Sequence, residues 1–370
     1  MVIIVIGLIA VSLFYLQKFI YFRLWDKELN VVLKFRDETV RAGESTILMQ
    51  IVENRKWLPL PVLKVKFQCS GNLLFAADKS SQVTDLYNRN DMFSMMPYRR
   101  FTRNHKVICS KRGYYGIRGI DLVSADLFLT QEMVRSRFGE TWIYVIPAIF
   151  DVSELDAMLQ KISGEMAHRR HLLPDPFAFR GIREYTPFDE LKTVNWKASA
   201  RSDDLKVNIY DYSAVNSVSV FINVKNRQLS GSDEQIEKAM SIASYLAEVY
   251  LTNGIKFSIY ANGKDIMTDS ILAMEENQNR KQLEHINIML ARIDLNREVE
   301  PFTIFEERIN QQKDRLVFII SPDWHFEFQD QLERIDTGLD YVWICPCRFT
   351  SDVKIRESLK AYNYLIQDKI

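Results

Sequence analysis

The sequence predicts three structural classes in one chain: a membrane-spanning helix, a β-sandwich and an α/β domain with a mostly parallel sheet. Three observations carry this expectation. The first 22 residues form a nearly unbroken apolar run, residues from 28 onward alternate with period two, and residues from 216 onward alternate apolar strand-length runs with amphipathic helical stretches. At 370 residues the chain can hold two domains with separate cores beside the anchor.

Residues 1–22 are the expected anchor. Met1 to Leu16 contains no charged residue, and after Gln17 and Lys18 the apolar character resumes through Phe22. As a helix rising about 1.5 Å per residue, such a run reaches roughly the 30 Å of a hydrocarbon core, and Lys18 can snorkel near one end. Basic residues before the run and small residues at a cleavage position are both missing, so the segment is expected to stay attached. No cysteine within the first 68 residues offers a lipoprotein anchor. Lys18, Arg23 and Lys27 follow the run, which puts the soluble part on the cytoplasmic face of the cell membrane as a single-pass protein.

Residues 28–148 read as a sandwich. Leu29, Val31, Leu33 and Phe35 alternate, and further strand-sized pieces stand at 46–52, 62–67, 101–109, 117–123 and 142–146. Turns are expected at Arg41-Ala42-Gly43-Glu44 and at Arg112-Gly113-Tyr114-Tyr115-Gly116. Short strands with recurring turns and few helix signals argue an immunoglobulin-like β-sandwich. Residues 149–178 read as a linker, helical near 151–162, with His168-Arg169-Arg170-His171 as a solvated connector rather than a ligand set.

The α/β part, 216–370, begins with a buried-strand run at 217–224. Ser232-Asp233-Glu234-Gln235 offers a capping box to a helix whose apolar face is Ile236, Ala239, Met240, Ala243, Leu246, Ala247, Tyr250 and Leu251. Asn253-Gly254 stops it. A strand at 255–260 is followed by Asn262-Gly263, which reads as a hairpin turn into a strand at 265–267. The next helix carries Leu283, Ile286, Met289, Leu290 and Ile293, and apolar strands follow at 316–320 and 341–345. Strands alternating with crossover helices specify a mostly parallel sheet.

Charge and cysteine usage limit the function classes. With 48 basic and 48 acidic residues, no global field favours nucleic acid. Cys69, Cys109, Cys345 and Cys347 lack paired zinc spacing and are too scattered for a disulfide framework; Cys345 and Cys347 read as buried strand residues. No nucleophile with a neighbouring base, P-loop or G-x-G-x-x-G stands in the chain, and its five histidines lie beside no suggestive motif.

The densest polar segment is 179–215. It contains Phe179-Arg180-Gly181-Ile182-Arg183-Glu184-Tyr185-Thr186-Pro187-Phe188-Asp189 and continues through Asn195-Trp196-Lys197-Ala198-Ser199-Ala200-Arg201. Two readings stay open. Arg180, Arg183, Lys197 and Arg201 can offer charged contacts, with Tyr185 and Trp196 as anchors of a docking surface. Alternatively Arg183, Glu184, Asp189 and Arg201 pair with one another as an internal network, with Trp196 packed beneath.

This segment resembles that of the bacterial family called domain of unknown function 58. Gly181, Arg183, Glu184, Tyr185, Pro187, Asp189, Trp196, Lys197, Ala200 and Arg201 match its motif, while Phe188 and Lys192 depart from it; Arg112-Gly113-Tyr114 and Ser124-Ala125-Asp126-Leu127-Phe128 look like its upstream segments. The resemblance implies a von Willebrand factor A-like (Rossmann-like) α/β domain. Metal-binding examples of that fold end their first strand in D-x-S-x-S, whereas this chain has Asn223-Val224-Lys225-Asn226-Arg227. An amide replaces the carboxylate, and Lys225 and Arg227 bring positive charge, so a degenerate site is expected, with Asp323 as a remnant and no cofactor. The resemblance further implies a non-catalytic membrane-anchored adaptor acting with a MoxR-type AAA+ ATPase in protein maturation or envelope assembly. Its alternatives are a metal-dependent ligand-binding or adhesion module using the altered site, and an envelope hydrolase.

Overall fold

The computed structural model describes residues 2–75, 86–149, 155, 159, 174–186, 194–202, 204–212, 217–225, 232–277, 279, 281–312, 316–335, 341–348 and 353–367. The chain divides into two compact units. The first is Met1–Ile149 with Asp265–Asp269 and Asn287–Asp294; the second is Phe150–Lys264, Ser270–Ile286 and Leu295–Ile370.

The first unit opens with helix α1 (Val2–Leu24), whose stretch Ile3–Leu24 is long and apolar enough to cross a membrane, with mean hydropathy 2.2. Nine strands follow: β1 (Leu29–Phe35), β2 (Thr39–Arg41), β3 (Ser45–Asn54), β4 (Leu60–Ser70), β5 (Leu73–Phe75), β6 (Leu86–Met95), β7 (Arg99–Cys109), β8 (Gly113–Ala125) and β9 (Glu132–Ile146). They form two sheets, ordered β1-β3-β7-β5 and β2-β9-β8-β4-β6. All pairs are antiparallel except β2 with β9. Leu33, Leu48, Val52 and Val107 of one sheet and Leu63, Val65, Leu122, Ile143 and Val145 of the other share one buried cluster, which makes the unit a β-sandwich.

The last turns of α1 belong to that same cluster. Tyr21 and Trp25 are buried in it, and Ile20 and Leu24 pack against it. The Tyr21 hydroxyl donates to the Pro59 carbonyl at 3.0 Å, and Gln17 Nε2 donates to Asp126 Oδ2 at 2.9 Å. Asp126 also accepts the Thr130 N–H (2.6 Å), the Thr130 hydroxyl (2.8 Å) and the Gln131 N–H (2.9 Å). Burial pushes its carboxyl up, but the donors from Gln17, Gln131 and Thr130 outweigh that and hold it down to about 2.

Two sequence expectations in this unit change. Gly113 to Gly116, expected as a turn, lie in β8, because Tyr115 closes the chain itself: its hydroxyl donates to the carbonyls of Lys111 (3.0 Å) and Arg112 (3.1 Å). A Cβ at Gly113 would come within 2.8 Å of the far end of that ring and would have to displace the hydroxyl from these bonds. The polar strand β6 escaped the sequence reading because its first half alternates exposed and half-buried positions with no apolar face to signal it. Arg112, buried, donates from Nη1 to the Leu290 and Ile293 carbonyls.

The second unit contains the antiparallel pair β10 (Pro174–Glu184) and β11 (Lys206–Tyr212), with the short helix α2 (Trp196–Ser202) between them in sequence. Residues 174–178, expected within the linker, are therefore strand, held by pairing to β11. Leu155 and Leu159 are helical and buried; His168-Arg169-Arg170-His171 lies outside the described residues. In chain order there follow β12 (Ser217–Ile222), α3 (Ser232–Thr252), β13 (Lys256–Asp265), β14 (Ile271–Asn277), α4 (Lys281–Ala291), β15 (Ile293–Asp294), α5 (Glu306–Asn310), β16 (Leu316–Ile320), α6 (Phe326–Glu333), β17 (Tyr341–Cys347) and β18 (Asn363–Gln367), of which β15 and the end of α4 belong to the first unit.

Strands β13, β12, β16, β17 and β18 stand in that order and run parallel, with β14 antiparallel at the β13 edge. All six residues of β12 and all five of β16 are buried, as two-sided cover requires. Every position of the expected apolar face of α3 is buried, and Gly254 (φ 72°) takes the left-handed conformation that ends it. Cys345 and Cys347 are buried in β17.

Asn262-Gly263 is not a hairpin turn: both residues lie inside β13, and the chain reverses after Asp265 before β14. The Asn262 amide is spent on buried partners rather than on a turn, whereas Asp265 accepts the Met267 N–H (3.0 Å) and the Thr268 hydroxyl (2.8 Å) at the real one. The expected strand at 265–267 is therefore this turn. Ile293 lies in β15, beyond the end of α4.

Because the folded Asp126 carboxyl titrates below its unfolded value, its stabilising share is complete above about pH 4 and is lost as pH falls towards 2. Thermal unfolding of the full chain in detergent is expected to lose stability across that acid window in the wild type, and to lose less of it in Asp126→Asn. Equal losses in the two proteins would show that this carboxylate does not hold the helix.

Candidate functional site

Strand β12 sits in the middle of the parallel sheet, and the chain leaves it first towards β13 and later returns to its other side as β16. In open α/β sheets such a reversal opens a crevice at the carboxyl ends of the strands, where ligands bind. Here Asn223 follows β12 and Ser321 follows β16.

Side-chain amides meet at these strand ends. Asn223 Oδ1 accepts from Asn262 Nδ2 (2.8 Å) and from the Lys225 N–H (3.1 Å), while Asn223 Nδ2 donates to Ser321 Oγ (3.0 Å). Asn262 Oδ1 accepts the Val224 N–H (2.8 Å), and its Nδ2 also donates to the Glu300 carbonyl (2.8 Å). Ser321 Oγ accepts the Asp323 N–H (3.1 Å). Asp323 Oδ1 meets His325 Nδ1 at 2.7 Å and accepts the His325 N–H at 3.0 Å. Asn223, Asn262, Ser321 and Asp323 are all buried, while His325 is partly exposed and its ring stacks on Trp324.

Among the described residues the arrangement carries one carboxylate, Asp323, which is itself buried. Two amides satisfy each other and the strand-end backbone, and the one carboxylate is engaged by histidine. Among the described residues no group of three or more His, Cys, Asp or Glu is placed to hold a metal ion. Asn223 and Asp323 do fall in one polar chain through Ser321; Lys225 contributes its backbone N–H, and Arg227 lies outside the described residues. Sequence reasoning missed Asn262, Ser321 and His325. The signal available was polar residues at the ends of apolar strands, and for Asn262 the following glycine pointed elsewhere.

The motif segment forms a separate surface. Gly181, Ile182, Arg183 and Glu184 lie at the end of β10; for Arg180 the structure gives the strand backbone. Arg183 Nη1 donates to the Glu184 carbonyl at 3.0 Å, and the Tyr185 N–H donates to the Leu205 carbonyl at 2.9 Å. Asn195 caps α2: its Oδ1 accepts the Ala198 N–H at 2.9 Å and its Nδ2 donates to Asn208 Oδ1 at 2.7 Å. Ser199 Oγ accepts the Lys206 N–H at 2.8 Å, tying the helix to β11, and Val194 bridges Val207 beneath.

This internal scaffold leaves the large side chains outside. Trp196 is 66% exposed and Ile182 44%, so Trp196 is not packed beneath the segment. Lys197 and Arg201 are exposed, and no described residue pairs with either side chain. Asp189, Pro187, Phe188 and Lys192 lie outside the described residues.

The first unit holds a third polar group. Asp91 is flanked by Arg89 Nε (3.0 Å), Arg103 Nη1 (3.2 Å) and His105 Nε2 (3.4 Å), and His105 Nε2 lies 2.9 Å from Gln50 Oε1. Arg89 also covers the Phe75 ring, so this group reads as a buried charge compensated by its neighbours.

The family model described as "Protein of unknown function DUF58" matches residues 181–342, so this stretch is a DUF58 domain. No curated protein matches the chain. Among solved structures, the CARDB domain of a Pyrococcus furiosus protein in complex with di-metal ions is 15% identical over 32% of this chain and 90% of its own, with a TM-score of 0.22. A type I cohesin–dockerin complex from Clostridium thermocellum is 9% identical over 32% of this chain and 99% of its own, with a TM-score of 0.23. A cohesin module from a Clostridium perfringens family 33 glycoside hydrolase is 12% identical over 30% of this chain and 96% of its own, with a TM-score of 0.22.

Replacing Asn262 by leucine is expected to cost about 1–3 kcal/mol for each buried backbone group left without a partner, here the Val224 N–H and the Glu300 carbonyl. Denaturant unfolding measures it; a cost below that of one group would place the amide outside the network. Calorimetric titration with magnesium or manganese is expected to give no saturable heat, and a tight isotherm would mean the amide cluster does accept a cation.

Proposed function

We propose that this DUF58-containing chain is a non-catalytic, membrane-anchored adaptor that binds a partner protein through the surface around Trp196 on the cytoplasmic side. The observation that carries this reading is the exposure of Trp196 beside the cations Lys197 and Arg201, which pair with no described residue, while Asn195 and Ser199 are spent on hydrogen bonds within the segment. Tryptophan and arginine dominate interface energetics, and a rigid scaffold lowers the ordering cost of using them. The Lys18, Arg23 and Lys27 asymmetry supports a cytoplasmic orientation.

The partner class is the MoxR-type AAA+ ATPases, from the resemblance of the motif. Affinity capture of the full-length protein from its native membranes with ATP, with ADP and without nucleotide is expected to recover such an ATPase. Combined Trp196→Ala and Arg201→Ala substitution is expected to weaken that capture by about 30-fold or more, the loss of an interface anchor of about 2 kcal/mol. Both side chains are exposed, so thermal stability should move little. Undiminished capture by a folded variant would remove this surface as the dock.

A further inference from the structure

The first unit carries exposed apolar groups that its fold does not explain. Leu127, Phe128 and Leu129 form the tip of the β8–β9 loop and are 49%, 59% and 59% exposed. The loop is not loose: Asp126 fixes it through the Thr130 and Gln131 N–H groups, and Leu129 takes a positive φ of 58° to complete the turn. A rigid turn that presents three large apolar side chains to water costs solubility and contributes nothing to the core.

Its position beside α1 supplies the reason. The Phe128 ring lies 5.7 Å from the Phe14 ring, and Asp126 accepts the Gln17 amide, so the loop tip stands level with Phe14 on the helix. Lys18, the first charge after the apolar run, marks the level at which a spanning helix meets the headgroups. Phe14 is four residues earlier, about 6 Å deeper along the helix. The opposite side of this docked half stays apolar and exposed at Tyr15, Leu16, Phe19 and Phe22, so lipid that covers it must also reach the loop.

A second pair of exposed aromatics stands further along the helix. Trp57 and Tyr98 are 56% and 70% exposed; their loops are joined by the Tyr98 N–H to the Lys56 carbonyl, and Pro59 receives the Tyr21 hydroxyl. Tyr21 is seven residues beyond Phe14, which places this pair nearer the aqueous side, where tryptophan and tyrosine belts form.

We propose that the sandwich itself seats in the bilayer, with Leu127, Phe128 and Leu129 immersed at the boundary of headgroups and acyl chains and Trp57 and Tyr98 among the headgroups. This rests on α1 being a membrane span. The depth is that of monotopic segments, about 5–10 Å.

The test uses single cysteines in the full-length protein, labelled with a nitrobenzoxadiazole thiol reagent. The native Cys69, Cys109, Cys345 and Cys347 are buried, which favours labelling at the introduced site. Labels at Phe128→Cys, at Ile9→Cys within the span and at Leu74→Cys on β5 are read in phosphatidylcholine–phosphatidylglycerol vesicles carrying shallow or deep doxyl-labelled lipids. Ile9 is expected to lose emission chiefly to the deep quencher and Phe128 chiefly to the shallow one, with a blue-shifted maximum; Leu74 is expected to lose none. Loss at Ile9 without loss at Phe128 would overturn the seating while keeping the span. No loss at either would overturn both, and loss at all three would mean adsorption without defined seating, which also overturns it.

Discussion

The first unit depends on the merging of an apolar helix with a sandwich core. Tyr21 and Trp25 occupy the cluster shared by the two sheets, so the end of α1 is part of the hydrophobic interior rather than a tether attached to it. Aromatic side chains of this size each bury about 150–250 Å², and at about 25 cal/mol per Å² the pair contributes several kcal/mol, comparable to the net stability of a domain. The polar clamp of Gln17 and Asp126 adds direction to this attraction, because a hydrogen bond fixes rotation about the helix axis where apolar contact alone tolerates slippage.

In the second unit the parallel sheet faces the problem common to its class, which is what to do with polar backbone at the strand ends. Asn223 and Asn262 solve it with two neutral side chains that satisfy each other and three backbone groups. Carboxylates at the same places would carry charge into a buried site and require a cation to balance it. Choosing amides converts a potential ion site into a structural joint between β12, β13 and β16.

The parts of this architecture that repeat were legible in the sequence, and the parts that depend on distant partners were not. The alternation of Leu29 to Phe35 and the apolar face of α3 announce a strand and a helix because periodicity is a local property. Asn262-Gly263 misled because the dipeptide favours a turn in isolation, while three partners distant in sequence outweigh that preference. The polar first half of β6 was silent for a related reason: its pairing to β4 supplies what its pattern does not. At the motif, residue types pointed to an interaction segment, but only the fold separates the side chains spent internally, Asn195 and Ser199, from those left outside, Trp196, Lys197 and Arg201.

The union of helix and sandwich also bears on how the protein can be handled. A chain trimmed at the end of the apolar run, after Phe22, would delete Tyr21 and leave an open socket in the sandwich lined by the partners it abandons. Solubility gained by removing the apolar run would therefore come with a destabilised remainder prone to self-association through that socket. The boundary between the apolar helix and the domain that follows it runs through the middle of a single core, not between two segments of sequence.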